Sequence, residues 1–342
     1  MQIALRTMWV AWRQQRAALI VLGLLAAALA AALVVRGIQL RSTFASLASN
    51  HCGAQAAPPV CFTLFGRTGS PTSGLGAIAL NAVPVLFGMF AGVPLFSREL
   101  ESGTLRFACT QGISRAKWAA SRLALAGAGS AAIGCGLGLV GLWWLSTSFR
   151  DSGLSAPHDA YWAASLAGVT PLTLTGWALF GVLLGACMGA VIGRTVPAIA
   201  AAAAACSGAA LGGAWLRDAA RHINPLVQRA DPGVVCGTSC TVVPGQTSVA
   251  GGETIGGWFT LGDGHRISVA AAQSTFGPPF SQRIALSDNL QAWLAKHHLN
   301  SWVAYQPASR YWLFQWAEFG VLLTASALVF ALAVWVIRRR SA

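Results

Sequence analysis

The sequence predicts an all-α integral membrane protein with six transmembrane helices, an N-terminal interfacial helix and a large extracellular segment before the last helix. Hydrophobic residues make up 55% of the 342 residues and charged residues only 10%, whereas a soluble domain is about 45–50% apolar with about 25% charged residues. Crossing a hydrocarbon core about 30 Å thick takes about 20 apolar residues. Six stretches meet this requirement, at about 17–35, 75–96, 119–146, 166–192, 195–216 and 311–337.

Residues 1–16 precede the first span and differ from it in pattern. Their apolar side chains recur at helical spacing, and their arginines lie towards the opposite side. The apolar set is Leu5, Met8, Trp9 and Trp12. Trp at headgroup depth and Arg near anionic lipid are typical of a helix that lies on a membrane surface. We therefore predict an interfacial helix over 1–16, with a ragged extension of the first span as the alternative.

Positive charges are distributed unevenly between the spans. With the N-terminus inside, the inner segments hold twelve Lys and Arg residues and the two short outer loops hold four. Cations are enriched in cytoplasmic loops, so both termini are predicted to be cytoplasmic. Spans one to five then occupy 17–216 with a cytosolic loop at 97–118. The segment 217–310 is extracellular, and 311–342 holds the last span and a basic cytosolic tail. The net charge of +13 thus reflects topology, and no nucleic-acid partner is expected.

The outer segment 217–310 carries signals of local structure. Strand-forming stretches flank the glycine turn Gly262-Asp263-Gly264, which predicts a small hairpin. Further along, Ser287-Asp288 is a good N-cap for an amphipathic helix. The segment is therefore predicted to form a compact outer cap.

Four cysteines fall in the predicted outer regions, at Cys52, Cys61, Cys236 and Cys240. An oxidising exterior favours two disulfides, most simply 52–61 and 236–240, although the sequence does not fix the connectivity. A zinc site that combines these thiols with His51 is the alternative. Their spacing matches no zinc module, so no metal site is predicted.

The fourth span carries a glycine at every fourth position, namely Gly181, Gly185, Gly189 and Gly193. Such a stripe leaves a groove without side chains, into which another helix can approach closely. Packing within one bundle and packing at a subunit interface both fit this pattern. The second span has a shorter version at Gly88 and Gly92, which are candidates to line the midline of a dimer. Pro84 and Pro94 predict a kink in the same span.

No motif for catalysis or nucleotide binding occurs in the chain. It contains no G-x-x-x-x-G-K-[ST] phosphate loop, no G-x-S-x-G nucleophile elbow and no H-E-x-x-H helix. The expectation is a protein without catalytic residues that is not itself an enzyme. An intramembrane enzyme is a weaker alternative, because it needs paired polar groups at depth and the sequence offers Glu318 alone.

Glu318 lies about two turns into the last span, on the same face as Gln315 and Tyr311. A charge inside the membrane usually faces the bundle interior or a watery cavity. These three residues are therefore candidates for the polar lining of a substrate path. The alternative is a structural ion pair between Glu318 and Arg217 or Arg221, at the outer end of the fifth span.

Charged residues are concentrated after the second span. Seven of the 33 charges fall between Arg98 and Arg122. The cations satisfy the topology rule, but the acidic pair Glu99 and Glu101 is surplus to it. Alternating charges on a short cytosolic helix offer complementary docking to a soluble partner, so this loop is predicted to bind one.

The stretch that contains this loop resembles a known family. Residues 83–118, VPVLFGMFAGVPLFSRELESGTLRFACTQGISRAKW, are similar to the membrane subunits of type II ABC exporters (ABC-2-like permeases), within them to a branch common in actinobacteria. The shared pattern is P-L-x-x-R-E-x-E-x-G-T followed by T-Q-x-[IVS]-[ST]-R-x-x-W. Residues 305–318, YQPASRYWLFQWAE, resemble the entry to the last span in that branch. Leu105 departs from the pattern, since the branch often has a polar or His residue there.

The resemblance implies a half-transporter in a bacterial cell membrane. It would pair with a second copy of itself or a related permease and bind two separate ABC ATPase subunits, which hold ATP and Mg²⁺, so this chain needs no cofactor. Residues 1–16 correspond to the connecting helix of the family. The residues assigned to ATPase coupling are Arg98, Glu99, Glu101, Gly103, Thr104 and Arg106.

The expected function is ATP-driven export across the lipid bilayer. A path with few polar groups suits a hydrophobic or amphipathic compound better than an ion or sugar. The alternative is a membrane-anchored sensor or assembly protein whose extracellular segment binds a partner without transport.

Overall fold

The computed structural model describes residues 2–49, 75–103, 114–150, 162, 165, 168–229, 233–236, 240–243, 252–268, 271, 275 and 294–339. Helices account for most of this structure, which confirms the predicted helical membrane fold, while the extracellular position of the segment before the last helix stays a prediction. The helices are α1 (Gln2–Ser49), α2 (Leu75–Phe87), α3 (Ser97–Glu101), α4 (Arg115–Arg150), α5 (Pro171–Ile192), α6 (Thr195–Arg221) and α7 (Tyr311–Arg339).

Six helical segments in the described part of the chain are long and apolar enough to cross a membrane, as predicted. They are Gln15–Thr43, Gly76–Glu101, Arg115–Ser146, Pro171–Ile192, Thr195–Arg221 and Ala308–Arg339. The fourth span begins at Pro171 rather than at 166, because Thr170 is its N-cap. The Thr170 hydroxyl accepts a hydrogen bond from the backbone N–H of Thr173, and proline is well suited to the first turn of a helix.

The first helix runs without interruption from Gln2 to Ser49. The segment 1–16, predicted to lie at the interface, is therefore continuous with the first span from residue 2 onwards, and its depth in a membrane stays a prediction. The helix packs mainly against α4. Within it, the Gln15 side chain donates to the backbone carbonyl of Arg122 over 3.3 Å.

The second span is interrupted, as its two prolines predict. Helix α2 contains Pro84 and passes into a π-helical turn at Gly88–Gly92 and a 3₁₀ turn at Val93–Leu95. The chain then turns at Phe96 into α3. A π turn closes its hydrogen bonds over five residues instead of four, so it holds one residue more than an α-helical turn.

Helix α5 is the centre of the bundle, and its glycines pack against this interrupted span. A Cβ added at Gly185 would lie 2.0 Å from the Gly88 carbonyl oxygen, and one at Gly181 would lie 2.3 Å from the Pro84 oxygen. One at Gly189 would lie 2.5 Å from the Val93 oxygen. Three of the four predicted glycines thus permit backbone contact between helices of one chain.

The fourth glycine of that stripe has another role. Gly193 has a φ of 73° in the left-handed region, and its N–H donates to the Gly189 carbonyl, which ends α5. Glycine is the usual residue at this position after a helix. Gly88 and Gly92 of the second span also face α5. Both are buried inside the chain, so the expectation that they line a dimer midline is wrong.

The hydrophobic core lies between α2, α4, α5 and the end of α7. Helices α1 and α6 contribute least to it. Buried residues make up 61% of the most apolar stretch of α5, against 17% for α1 and 11% for α6. These two helices therefore present most of their apolar side chains to the outside of the chain.

A small sheet follows α6 and precedes α7. Its strands are β1 (Leu226–Arg229), β4 (Glu253–Thr260), β5 (Arg266–Ile267) and β6 (Asn300–Gln306), in the order β1-β6-β4-β5, with all neighbours antiparallel. Strands β4 and β5 flank Gly262 to Gly264, which confirms the predicted hairpin. The Gln306 amide donates to the carbonyls of Arg221 and Ile223, so the sheet is bonded directly to the end of α6.

A second hairpin bears on one of the predicted disulfides. Strands β2 (Gly233–Cys236) and β3 (Cys240–Val243) are antiparallel, and Cys236 is the register partner of Cys240. The 236–240 disulfide stays a prediction, supported by this pairing. Cys52, Cys61 and the helix predicted after Ser287-Asp288 up to residue 293 lie outside the described residues.

Candidate functional site

Two polar sites lie at opposite ends of the bundle. We call the end that holds α3, the start of α4 and the α5–α6 junction the α3 end. The other end, where α6 runs into the sheet and the chain returns as α7, is the sheet end. Helix α6 connects the two sites along its length. Gln15 of α1 also lies at the α3 end, because its side chain is hydrogen-bonded to the backbone of Arg122 near the start of α4.

The predicted coupling residues form a short helix. Helix α3 follows the buried Phe96 and ends in a turn at Gly103, whose φ of 70° lies in the left-handed region that favours glycine. The side chain of Arg98 is exposed, and so are Glu101 and Gly103. Thr104 and Arg106 lie outside the described residues. The helix thus offers a charged surface at the α3 end.

Glu99 attaches α3 to α4. Its Oε1 accepts a hydrogen bond from Arg122 Nη1 over 2.5 Å, and the two side chains are 20% and 7% exposed. The Arg122 guanidinium lies 4.7 Å from the centre of the Trp118 ring. A charge-assisted hydrogen bond in a mostly buried setting is stronger than one between neutral groups. Separating α3 from α4 therefore costs a substantial free energy.

Glu101 attaches α3 to α6. Its Oε2 accepts from the backbone N–H of Thr195 over 3.1 Å and from the Thr195 hydroxyl over 2.7 Å. Thr195 begins α6, where the backbone N–H groups lack partners within the helix and the helix dipole favours a negative charge. The Ser97 hydroxyl also lies 3.2 Å from that of Thr195. Glu101 is therefore an N-terminal cap supplied by another helix.

These contacts change the interpretation of the acidic pair. From the sequence, Glu99 and Glu101 are surplus to topology and were therefore expected to be free to dock a partner. Each instead has a defined partner inside the chain: Glu99 binds Arg122, and Glu101 binds Thr195. Their main observed role is to fix α3 to two spans, while the side chain of Arg98 is exposed.

At the sheet end, Glu318 of α7 joins three helices. Its Oε1 accepts from Arg217 Nη1 of α6 over 2.7 Å and from Trp177 Nε1 of α5 over 3.2 Å. Its Oε2 accepts from the Thr173 hydroxyl over 3.4 Å. Of the two arginines considered from the sequence, Arg217 forms the ion pair. Arg221 pairs with Asp218 at 2.5 Å and lies 3.9 Å from Glu253.

Gln315 and Tyr311 are almost fully buried inside the chain. Gln315 is 1% exposed and Tyr311 6% exposed. The Gln315 amide donates to the Ser165 hydroxyl over 2.6 Å, and its oxygen accepts from the Thr170 hydroxyl over 2.5 Å. The Tyr311 ring stacks edge-on against Trp162, with centroids 5.6 Å apart. Both side chains are thus packed between helices, and Glu318 is the one of the three that borders open space.

That space is a cleft of about 560 Å³ between α5, α6 and α7. Its walls are mostly aromatic and aliphatic, and Arg217, Arg221 and Glu318 lie at its polar end. The aromatic side chains on it are Trp162, Trp177 and Phe314. A mainly apolar pocket with a few convergent polar groups is typical of ligand sites. Within the described part of the chain, no group of three or more His, Cys, Asp or Glu side chains is placed to hold a metal ion.

These features define a multi-pass membrane protein with six spans and a charged helix fixed between the second and third. A family model described as "ABC-2 membrane transporter related" matches residues 23–217. The chain belongs to this family of transport subunits, and it is a membrane component of an ABC-2 type transporter. Members of the family generally work with ATPase partners and pair as dimers. The search of curated proteins and that of solved structures gave no match.

The residues inside the chain that bind the acidic side chains of the two sites were not predicted from the sequence. Arg122 and Thr195 carry no signal of their own, because one counts as a cytosolic cation and the other as the first residue of a span. The available signal was position, since Thr195 follows a helix-ending glycine and therefore begins a helix that needs a cap. The Trp177 and Thr173 contacts to Glu318 depend on how α5 and α7 pack, which a one-dimensional pattern does not contain.

Proposed function

We propose that this chain is one permease half of an ATP-driven exporter of a hydrophobic or amphipathic compound. Two separate ATPase subunits hydrolyse ATP, and each docks on α3 of one permease half. The observation that carries this proposal is the double attachment of α3, through Glu99 to Arg122 and through Glu101 to Thr195. A docking helix transmits force only if it is fixed to the spans that must move, and this one is fixed to two of them.

Two docking helices imply two permease halves. Hydrolysis in ABC proteins takes place between two ATPases sandwiched face to face, and the described chain offers one α3. Closed pairing of two copies is the commonest solution. The apolar faces of α1 and α6, largely unburied within the chain, leave room for such a partner as well as for lipid.

The cleft at the sheet end supports an apolar or amphipathic cargo. Its walls are hydrocarbon and aromatic, and the charge of Glu318 is balanced by Arg217. An unpaired carboxylate on the path would favour a cationic cargo, and the pairing with Arg217 removes that preference. Export, the substrate and the cytoplasmic position of the α3 end are all parts of the proposal.

The test uses the whole chain, purified from its native membrane with any bound ATPase. We expect a P-loop ATPase to co-purify with it. Arg98→Glu reverses an exposed charge without touching an internal contact, so it is expected to reduce the bound ATPase and the transport-coupled hydrolysis while leaving thermal stability unchanged. Glu99→Lys with Glu101→Lys is expected to lower both ATPase binding and stability.

A matched control separates docking from internal attachment. Exchanging the charges, as Glu99→Arg with Arg122→Glu, keeps an ion pair between α3 and α4. If α3 docks through Arg98 and the residues after it, the exchange should retain more ATPase binding than Glu99→Lys alone. Normal co-purification and full transport in both the Arg98→Glu variant and the double lysine variant would refute the docking assignment.

A further inference from the structure

The four-stranded sheet has two unlike faces. Successive residues of a strand point to opposite faces, and register partners on neighbouring strands share a face. Phe259, Ser301 and Val303 share one face, and all three are buried. The other face carries Trp258 directly opposite Trp302. We call it the tryptophan face.

Exposed arginines lie on both sides of this tryptophan pair. Arg229 of β1 is the register partner of Trp302, and Arg266 of β5 is the partner of Thr260. Both arginines are exposed, and the Arg266 guanidinium lies 4.1 Å from the centre of the Trp258 ring. The Trp302 indole donates to the Thr260 hydroxyl over 2.9 Å. These contacts fix a surface that is both aromatic and cationic.

The tryptophan face is turned towards the spans. Gln306 and its register partner Glu253 lie on this face, and the Gln306 amide donates to the carbonyls of Arg221 and Ile223. Carbonyls in the last turn of a helix point along its axis and beyond its end. The sheet therefore lies beyond the end of α6, with the Gln306 side chain pointing back at it. Glu253 approaches Arg221 from the same side, at 3.9 Å.

The open part of this face extends to the side of α6. Trp302 precedes Gln306 by four residues, which is about 13 Å along β6. In the described part of the chain, the strands pack mainly on one another. Val227 lies on the tryptophan face opposite Ala304 and is 51% exposed, and Ile223 between α6 and β1 is 63% exposed. An exposed apolar surface thus continues from a span onto a face that is turned towards the bilayer.

We propose that the tryptophan face rests on anionic lipid headgroups of the leaflet at the sheet end. Tryptophan rings are favoured at the membrane interface, and arginine is well suited to bind phosphate. The charge of the face selects anionic lipid, because Arg229 and Arg266 are its exposed ions. Among the described residues of this face Glu253 is the only acidic one, and it lies at the opposite end beside Arg221.

This surface goes beyond the proposed function, because contact with headgroups requires neither an ATPase subunit nor a cargo in the cleft. A second copy of the chain fits the face less well than lipid does. Isologous pairing places the same patch of both copies in contact, so the arginines of one copy would lie against those of the other. The contact with lipid holds the sheet against the bilayer, and it also holds the end of α6 to which the sheet is bonded.

Two neighbouring glycines of β4 provide a matched test. Gly256 lies on the tryptophan face and Gly257 on the other face, and both are exposed. The photoreactive residue p-benzoylphenylalanine replaces one or the other in the full chain, which is reconstituted in vesicles of phosphatidylglycerol and phosphatidylcholine. After irradiation, mass spectrometry counts the lipid adducts. We expect adducts from position 256 and a loss of most of them at position 257.

Three outcomes overturn the proposal: equal lipid labelling from the two positions, no lipid adduct from position 256, or adducts between two protein chains there in place of lipid. The edge strand β1 offers a second pair if β4 does not tolerate the substitution. Val227 lies on the tryptophan face and Gln228 on the other. The same result is expected from them, with lipid adducts from position 227 and few from position 228.

The preference for anionic lipid is tested with the same adducts, because their masses identify the headgroup. The two lipids carry identical acyl chains and are mixed in equal amounts. We expect an excess of phosphatidylglycerol adducts, which Arg229→Gln reduces by up to about fivefold, the effect of one arginine near an anionic surface. Lys296→Gln removes an exposed cation outside the strands and should leave the excess unchanged. Equal yields of the two lipids without these substitutions, or equal losses in both variants, overturn the selection of anionic headgroups.

Discussion

Helices α5 and α6 are neighbours in the chain, rich in small residues, and held in opposite ways. Helix α5 is packed along its whole length, with backbone contacts at Gly181, Gly185 and Gly189. Helix α6 carries the same glycine spacing at Gly208 and Gly212, yet a Cβ at either meets nothing within 4 Å. One side of it packs against α5 and the second span, and carboxylates from α3 and α7 bind its two ends.

A glycine stripe does not by itself determine whether another helix packs against it. The stripe permits close approach, and whether a helix approaches depends on what lies opposite. In α5 the interrupted second span fills the groove. In α6 the groove at Gly208 and Gly212 faces the outside of the chain. This helix is therefore packed on one face, open on the other, and bound by two polar contacts about 33 Å apart along its axis.

The largest expected effect is at the sheet end of α6. Glu318→Gln leaves Arg217 mostly buried and without its counter-charge, which typically costs about 3–5 kcal/mol when one partner of a buried pair is removed. We expect a clear fall in the thermal unfolding temperature of the purified chain. Arg217→Met with Glu318→Leu removes both charges and should recover most of the loss. Changed export selectivity at unchanged stability would instead assign Glu318 to the substrate path.

A smaller loss is expected where α5 contacts the second span. In Gly185→Ala the new methyl group would lie 2.0 Å from the Gly88 carbonyl oxygen, which is backbone and cannot rotate away. Overpacking of this kind typically costs about 1–3 kcal/mol. Urea or thermal unfolding of the chain in detergent measures it. If the variant were as stable as the wild type, α5 would not be held by close backbone contact.

The α3 end of α6 should show a more modest effect. Glu101→Ala removes the acceptor for the first N–H of α6, and loss of a capping acceptor weakens the start of a helix. We expect faster hydrogen exchange in the first turn of α6, seen by mass spectrometry, with little change in the sheet end. Glu101→Gln keeps an acceptor oxygen and should restore much of the protection. Unchanged hydrogen exchange in Glu101→Ala would show that Glu101 does not stabilise the start of α6.

The smallest effect is expected on the open face of α6, with the opposite sign. Gly208→Ala adds a methyl group to open space, and alanine favours a helix over glycine by up to about 1 kcal/mol. A slight rise in thermal stability is the expected outcome. A fall as large as that of Gly185→Ala would mean that the glycines of α6 are in contact with another chain.

Span positions and fold class were predictable because they depend on properties of single segments. The six apolar stretches and the Gly262 turn depend on length, hydropathy and local turn chemistry. The resemblance of residues 83–118 also led to the family that the comparison assigned. The actinobacterial branch and the cytoplasmic termini stay predictions.

Contacts between distant segments were not predictable in the same way. The Glu318–Arg217 pair was one of two alternatives, since both Arg217 and Arg221 lie within one turn of α6 and only packing decides between them. The partners of Glu99 and Glu101 were missed because charge counting treats each residue as exposed until a neighbour is known. For the same reason Gly88 and Gly92 suggested a dimer midline, although α5 covers them.

The extra residue in the π turn at Gly88–Gly92 shifts the helical phase of the segment that follows it. Each residue of an α-helix turns the chain by about 100°, so the added residue rotates the downstream segment by that angle relative to an unbroken helix. Together with the 3₁₀ turn at Val93–Leu95 and the break at Phe96, this rotation sets where Glu99 and Glu101 meet Arg122 and Thr195. Deleting one residue from the turn would change that phase, so the contacts of both acids depend on the number of residues in the span as well as on their identity.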